Sequence, residues 1–246
     1  MRAILAICWR EFRAFFFSPL AYILATLFLA INGFIFWLIV SYLSNPLAPA
    51  GAPMQLFFGQ TVFFWLVLLF ITPILTMRSL AEERRSGTLE SLLTAPVTEG
   101  QIVTGKFCGV LAAYLFLWLP TLVYSAIVAR YGELDWGPVT AGYVGVVGIG
   151  ALWLSIGIFA SALSRSQMVA ALVGFAVLVL LFSAGLIGNL INTPKLQDVF
   201  DYLDLWQHMG DFGKGIVDTR PLVYYLSGTI LFLFLASRAL ETRKWR

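Results

Sequence analysis

The sequence predicts an all-α integral membrane protein with six transmembrane helices, an N-terminal interfacial helix and a short cytoplasmic helix between spans two and three. Hydrophobic residues make up 60% of the 246 residues and charged residues only 12%, whereas soluble domains carry about 25% charged residues. Six stretches reach the length of about 20 apolar residues that a span needs. A polar segment, 78–106, separates the second stretch from the third. We therefore expect one membrane domain over residues 1–246.

Residues 1–18 are predicted to form the interfacial helix. At 100° per residue, an apolar and aromatic face lies opposite a basic face, an arrangement that places the arginines toward anionic headgroups. The aromatic residues are Phe12, Phe15 and Phe16, and the basic residues are Arg2, Arg10 and Arg13. A plain cytoplasmic start to the first span is the alternative. Charged residues interrupt the apolar run, so we expect no cleaved signal peptide.

The six predicted spans contain a single charged residue, Arg238, at the end of the sixth. They cover 20–41, 56–77, 107–129, 139–163, 168–191 and 221–240. Ion-coupled transporters usually carry ionisable residues at membrane depth, because those residues bind the coupling ion. The uncharged spans therefore disfavour a secondary transporter and indicate an energy source outside the membrane.

Loop charges predict the orientation. With the N-terminus inside, the inner segments hold 12 basic and 6 acidic residues, and the outer ones hold 4 basic and 7 acidic residues. Because basic residues accumulate on the cytoplasmic side, we expect both termini in the cytoplasm.

The outer segment 192–220 is expected to be an extracellular loop. Apolar residues recur in it at helical spacing: Leu196, Val199, Phe200, Leu203 and Trp206. This pattern is typical of an amphipathic segment on the outer leaflet, or of a small extracellular cap. His208 is the only histidine, and a lone histidine without other imidazole or thiol ligands is more often structural than metal-binding.

Within the 78–106 segment, leucines at positions i, i+3 and i+4 predict a short amphipathic helix. These are Leu89, Leu92 and Leu93, and the polar residues expected to face solvent are Glu83, Arg84 and Glu90. Pro96 ends this helix. Thr98 and Gln101 then match a capping box, which predicts that the third helix begins near Thr98.

Gly100–Lys106 (GQIVTGK) matches most of the phosphate-binding loop pattern, but Phe107 stands where that pattern needs Ser or Thr. The segment also leads into a span instead of following a strand. We therefore expect no nucleotide, metal or catalytic site in this chain. Gly105 and Gly109, and Gly142, Gly145 and Gly148, are predicted to let helices approach closely.

The stretch Met77–Val97 (MRSLAEERRSGTLESLLTAPV) resembles the segment after the second span in ABC-2-type permeases, the membrane-spanning subunits of ABC exporters. The likeness lies in the Glu82–Glu83 pair, the Gly87–Glu90 core and the Leu92-Leu93-x-x-Pro96 ending. The later run His208–Asp218 is similar to the subgroup of gliding-motility-associated and nitrous-oxide-reductase-maturation permeases.

The resemblance implies that the 78–106 segment contains a coupling helix that docks on a separate ABC ATPase subunit. The residues expected at this contact are Glu82, Glu83, Arg84, Arg85, Gly87, Thr88, Leu89, Glu90, Leu92, Leu93 and Pro96. It further implies two permease subunits, as a homodimer or heterodimer, in the inner membrane of a prokaryote. The ATPase would bind ATP and magnesium, so this chain would need no cofactor; membrane lipid is a further partner and nucleic acid is not.

Two functions follow from this resemblance. The first is the permease subunit of an ATP-driven exporter, which is not itself an enzyme. The alternative is a non-transporting anchor or mechanical transmitter that links an ABC ATPase to an extracytoplasmic partner, a reading that the acidic outer loop favours.

Overall fold

The computed structural model describes residues 2–45, 52–59, 61–88, 97–188, 200 and 202–244. Every regular element in these ranges is helical, and six helical segments are long and apolar enough to cross a membrane. The predicted all-α multi-span fold is therefore confirmed.

The first half of the chain contains five helices in the described ranges. They are α1 (Arg2–Phe17), α2 (Pro19–Leu43), α3 (Pro53–Phe57), α4 (Val62–Thr76) and α5 (Ala81–Arg85). Pro19 separates α1 from α2 because it fits the first position of a helix, where its missing N–H costs nothing.

The second half begins with α6 (Glu99–Trp118), which passes through a 3-10 turn at Leu119–Thr121 into α7 (Leu122–Tyr131). Pro120 lies in this turn, where a proline removes one helical hydrogen bond. The remaining helices are α8 (Trp136–Leu163), α9 (Gln167–Gly188), α10 (Leu205–Gly213) and α11 (Thr219–Lys244).

Two observed spans differ from the predicted ranges. The range 56–77 is divided between α3 and α4, and Gly59 between them has a φ of +84°, which other residues rarely adopt. The third span begins earlier than 107, at Glu99, because the predicted capping box is present. Thr98 and Gln101 each accept from the other's backbone N–H at 3.3 Å.

The other four spans lie close to their predicted ranges. The helices α2, α8 and α11 contain 20–41, 139–163 and 221–240 and extend each by a few residues. The helix α9 covers 168–188 of the fifth range, and residues 189–191 lie outside the described residues.

The helix α8 is the centre of the bundle and contacts α4, α6, α9, α10 and α11. Its glycines make this possible, as the sequence predicted. A β-carbon at Gly145 would lie 2.8 Å from the sulfur of Met209, and one at Gly148 would lie 2.6 Å from the Tyr225 ring. Gly142 packs equally closely on Phe58.

The helix α10 packs into the bundle, which differs from the predicted leaflet-bound segment or external cap. Leu205, Met209 and Phe212 are at most 1% exposed, and Trp206 stacks on Trp65 at 5.8 Å. This helix also lies further along the chain than the predicted apolar pattern, of which Leu196 and Val199 are outside the described residues. We call the bundle end with α10 the outer end and the end with α1 and α5 the inner end.

Candidate functional site

The turn after α4 is fixed to the end of α8 by one serine hydroxyl. The backbone N–H groups of Leu80 and Ala81 donate to Ser161 Oγ at 3.1 and 3.0 Å, and this hydroxyl donates to the Met77 carbonyl at 3.3 Å. The first N–H groups of a helix lack partners within the helix. Ser161 therefore satisfies two donors at the start of α5 and links the 78–106 segment to the central helix.

Arg84 makes a second link between these elements. Its guanidinium donates to the carbonyls of Ser164 at 2.6 Å and Ala162 at 2.7 Å. These carbonyls lie at the C-terminus of α8, where the last C=O groups lack helical donors and the helix dipole attracts a cation. Arg84 thus caps the central helix.

Four charged residues, which we call the ion cluster, join α1, α5 and α6. They are Arg10, Glu11, Glu83 and Lys106. Lys106 Nζ lies 2.6 Å from Glu11 Oε1 and 2.8 Å from Glu83 Oε1. Arg10 Nη2 lies 2.8 Å from the same Glu83 oxygen and 3.3 Å from Glu11 Oε1. The two cations and two carboxylates balance in charge.

Burial makes this balance necessary. The Lys106 side chain is 0% exposed, and those of Glu11 and Glu83 are 18% and 17% exposed. Transfer of an unpaired charge from water into a protein costs several kcal/mol. Lys106 can therefore occupy its position only while α1 and α5 supply both carboxylates, so the three helices form one unit.

Close helix packing brings the carboxylate of Glu11 to Lys106. A β-carbon at Gly105 would lie 2.8 Å from Cβ of Ile7, and one at Gly109 would lie 2.6 Å from Cβ of Glu11. The predicted role of these two glycines in close packing is confirmed, and α1 is the partner that the sequence did not identify. The helix α1 is thus docked on the base of α6.

The structure corrects the expected exposure of two residues at the predicted ATPase contact. Glu83 and Arg84 were expected to face solvent, but they are partly buried and bonded within the chain because each pairs with a neighbouring helix. Glu82 is half-buried, whereas Arg85, Gly87 and Thr88 are exposed. The remaining predicted residues, Leu89, Glu90, Leu92, Leu93 and Pro96, lie outside the described residues.

One arginine of the predicted basic face of α1 also forms an ion pair within the protein. Arg2, Arg10 and Arg13 are all exposed, and Arg10 in addition pairs with Glu83. Among the aromatic residues, Phe16 packs edge-on against Phe116 at 4.8 Å, and Phe12 and Phe15 are half-buried.

Sequence reasoning missed Glu11, Lys106 and Ser161 as members of this site. Lys106 offered the one usable signal, because it stands at the start of an uncharged apolar run. A lysine in such a place is rarely buried unless it is paired.

At the outer end, His208 is packed between the rings of Tyr224 and Tyr225, each at 5.9 Å. Burial lowers the pKa of His208, and the nearby carboxylates of Asp204, Asp211 and Asp218 partly oppose this effect. In the described part of the chain, no group of three or more His, Cys, Asp or Glu residues is arranged to hold a metal ion.

Comparison with known families matches residues 5–244 to the family described as ABC-2 family transporter protein. No individual curated protein matches the chain significantly. The match extends from α1 to the last helix and includes the ion cluster. The narrower resemblance to the gliding-motility and nitrous-oxide-reductase-maturation subgroup stays a prediction. The chain belongs to the ABC-2 family of transporter proteins and is a multi-pass membrane permease, the transport component of an ABC transporter.

Proposed function

We propose that this chain is the permease subunit of an ATP-driven exporter, and that its 78–106 segment receives motion from the ATPase. Family membership implies partnership with an ABC ATPase subunit. The observation that carries the proposal is the ion cluster, because it ties the segment that would contact the ATPase to α1 and α6 through a buried lysine.

The contacts suggest how a displacement would spread. The exposed residues Arg85, Gly87 and Thr88 lead into the expected docking helix. A push there would move α5, which is bonded to α8 through Ser161 and Arg84. The same push would move Glu83 and with it the Lys106 ammonium of α6. The helices α5, α6 and α8 would therefore move together, because paired buried charges and closely packed side chains resist separation.

The helix α8 provides a route to the outer end. It runs without interruption from Trp136 to Leu163, so its inner end meets α5 and its outer end meets α10. Gly145 is packed directly against Met209 and Phe212. A shift of α8 along its axis would therefore move α10, which is where an exported molecule would leave.

The outer surfaces of the spans support a second permease subunit, identical or related. In the apolar stretch of α11 only 17% of the residues are buried inside the bundle, and in that of α2 28% are buried. The corresponding share for α8 is 72%. The middle parts of the spans carry no charge that could line a polar path within one chain. We infer a route between two permeases that are served by two ATPases and surrounded by lipid.

The proposed orientation has both termini in the cytoplasm and the protein in a prokaryotic inner membrane. The excess of basic residues in the inner segments supports it. The ATPase would bind ATP and magnesium on that side, where the 78–106 segment lies.

A binding measurement with the cognate ATPase tests the docking site. Glu90→Lys should weaken ATPase binding at least tenfold, because it reverses a charge on the expected docking helix. Glu133→Lys is the matched control, since Glu133 is an exposed residue at the outer end, and it should bind normally. Normal binding by Glu90→Lys, and by a variant with Leu92 and Leu93 both changed to Ala, would refute this docking site.

A second function, transmission of ATPase motion to an extracytoplasmic partner, is favoured by the direct α5–α8–α10 contact. It predicts a stable partner at the outer end and no ATP-dependent flux from reconstituted vesicles. Substrate-stimulated ATPase activity with flux would favour the exporter.

A further inference from the structure

A cavity of about 120 Å³ lies at the inner end of the bundle, between α1, α2, α4 and α6. We propose that it binds the phosphate group of an anionic phospholipid from the adjacent leaflet, with Arg78 and Ser79 as the phosphate ligands. This site is separate from the expected ATPase contact. The lipid site rests on the proposed orientation in one respect only, which is the leaflet that supplies the lipid. With both termini in the cytoplasm, this is the cytoplasmic leaflet.

The lining of the cavity changes from polar to apolar along the spans. The polar residues are Glu11, Ser18, Arg78 and Ser79, and the apolar ones include Leu24, Ile74 and Ala113. Ile74 is one helical turn deeper than Arg78, and Leu24 is deeper than Ser18 in the neighbouring span. A phospholipid changes from charged to apolar in the same direction, which a soluble anion does not.

Arg78 is the available cation of this cavity. Its guanidinium donates to Ser18 Oγ at 3.1 Å, and within the described ranges it has no carboxylate partner. A guanidinium carries five N–H donors in a planar fork that matches two phosphate oxygens. Arg78 therefore has donors left for a phosphate group.

Ser79 is the second, independent indication of a ligand. It is 4% exposed, and its Oγ is buried with no hydrogen-bond partner among the residues that the structure describes. Buried hydroxyls almost always have a partner. Because Ser79 lines the same cavity as Arg78, a phosphate oxygen held by Arg78 would supply that partner.

Glu11 also lines the cavity, and its charge could repel a phosphate. The ion cluster removes this objection, because Lys106 and Arg10 both contact Glu11 Oε1, at 2.6 and 3.3 Å. The cavity is too small for a whole lipid. The acyl chains would instead lie along the exposed apolar surface of α2, which includes Ile23, Leu27 and Ile31 at 45–57% exposure.

Native mass spectrometry of the full-length chain in detergent, titrated with phosphatidylglycerol or phosphatidylcholine, tests the proposal. Phosphatidylglycerol should bind at least about tenfold more tightly, a factor that corresponds to about 1.4 kcal/mol. Arg78→Gln should remove most of this preference. Arg165→Gln is the matched control, because Arg165 is an exposed arginine at the same end of the bundle and does not line the cavity; it should keep the preference.

The variant Ser79→Ala tests whether the Ser79 hydroxyl binds the phosphate or is a buried hydroxyl without any partner. If phosphate fills the cavity, this variant should bind phosphatidylglycerol several-fold more weakly. Equal binding of both lipids by the native chain, or an equal loss in Arg78→Gln and Arg165→Gln, would overturn the proposal. Competition by millimolar inorganic phosphate would also overturn it, because the site would then be one for a soluble anion. None of these results depends on ATPase docking.

Discussion

Replacement of Lys106 by methionine should strongly destabilise the bundle. The substitution keeps a side chain of similar length but removes the central cation of the ion cluster. Glu11 and Glu83 would then share only Arg10, whose side chain is 52% exposed, while their own side chains are 18% and 17% exposed. The cluster would change from neutral to a net charge of −1 in a largely buried place.

The expected cost follows from that burial. Removal of one partner from a buried ion pair costs about 3–5 kcal/mol, because the remaining charge stays buried without compensation. A second substitution, Glu11→Gln, should recover part of this loss in the double variant, since Glu83 and Arg10 then form a balanced pair. The two changes should therefore be coupled by about 1 kcal/mol or more.

The assay is the free energy of unfolding in mixed micelles of mild detergent and SDS, with helicity followed by circular dichroism. Native chain, both single variants and the double variant form one thermodynamic cycle. A loss under about 0.5 kcal/mol for Lys106→Met, the size typical of surface substitutions, would refute the ion cluster as the link between α1, α5 and α6. Additive effects of the two substitutions would refute it as well.

Three other predictions use the same preparation. Ser161→Ala should lower the free energy of unfolding by about 1–3 kcal/mol, because it leaves the N–H groups of Leu80 and Ala81 without their acceptor; Ser227→Ala, at an exposed serine of α11, should have little effect. Stability should fall as the pH is lowered below the ordinary histidine pKa of 6.5, since burial lowers the pKa of His208 and the unfolded chain then binds a proton that the folded chain does not. His208→Gln should flatten that part of the pH profile, and an unchanged profile would contradict this assignment. Gly105→Leu should detach α1 from α6, because its β-carbon alone would lie 2.8 Å from Cβ of Ile7, and increased proteolysis near Phe17 would report the change.

The fold class could be predicted because the signals for spans are local. A run of about 20 apolar residues requires a helix in the bilayer, where no water can satisfy the backbone. The capping box at Thr98 is local as well, since its two partners are three residues apart. The division between α3 and α4 was missed because the requirement for glycine at position 59 is not local: a β-carbon there would lie 2.5 Å from Cβ of Met209, far along the chain.

The candidate site could be predicted only in part, because its main contacts are distant in sequence. Glu11 and Lys106 are 95 residues apart, and Ser161 lies 80 residues beyond Ala81. Helical periodicity predicted an apolar and a basic face for α1 but could not show which helix packs against it. The burial of α10 was missed for the same reason, since its amphipathic pattern fits the bundle as well as it fits a leaflet.

The most direct test of the proposed coupling is a distance measurement across the outer end of the complete transporter. Spin labels at Gln207 and Tyr131, both exposed at the outer end, would be compared by pulsed EPR without nucleotide and in a trapped ATP state, with Cys8 and Cys108 replaced by serine. ATP should change this distance in the native chain and in Glu241→Gln, which alters an exposed ion pair with Arg238. The change should be lost in Glu83→Gln with ATP still bound, and an undiminished change in that variant would contradict transmission through the ion cluster.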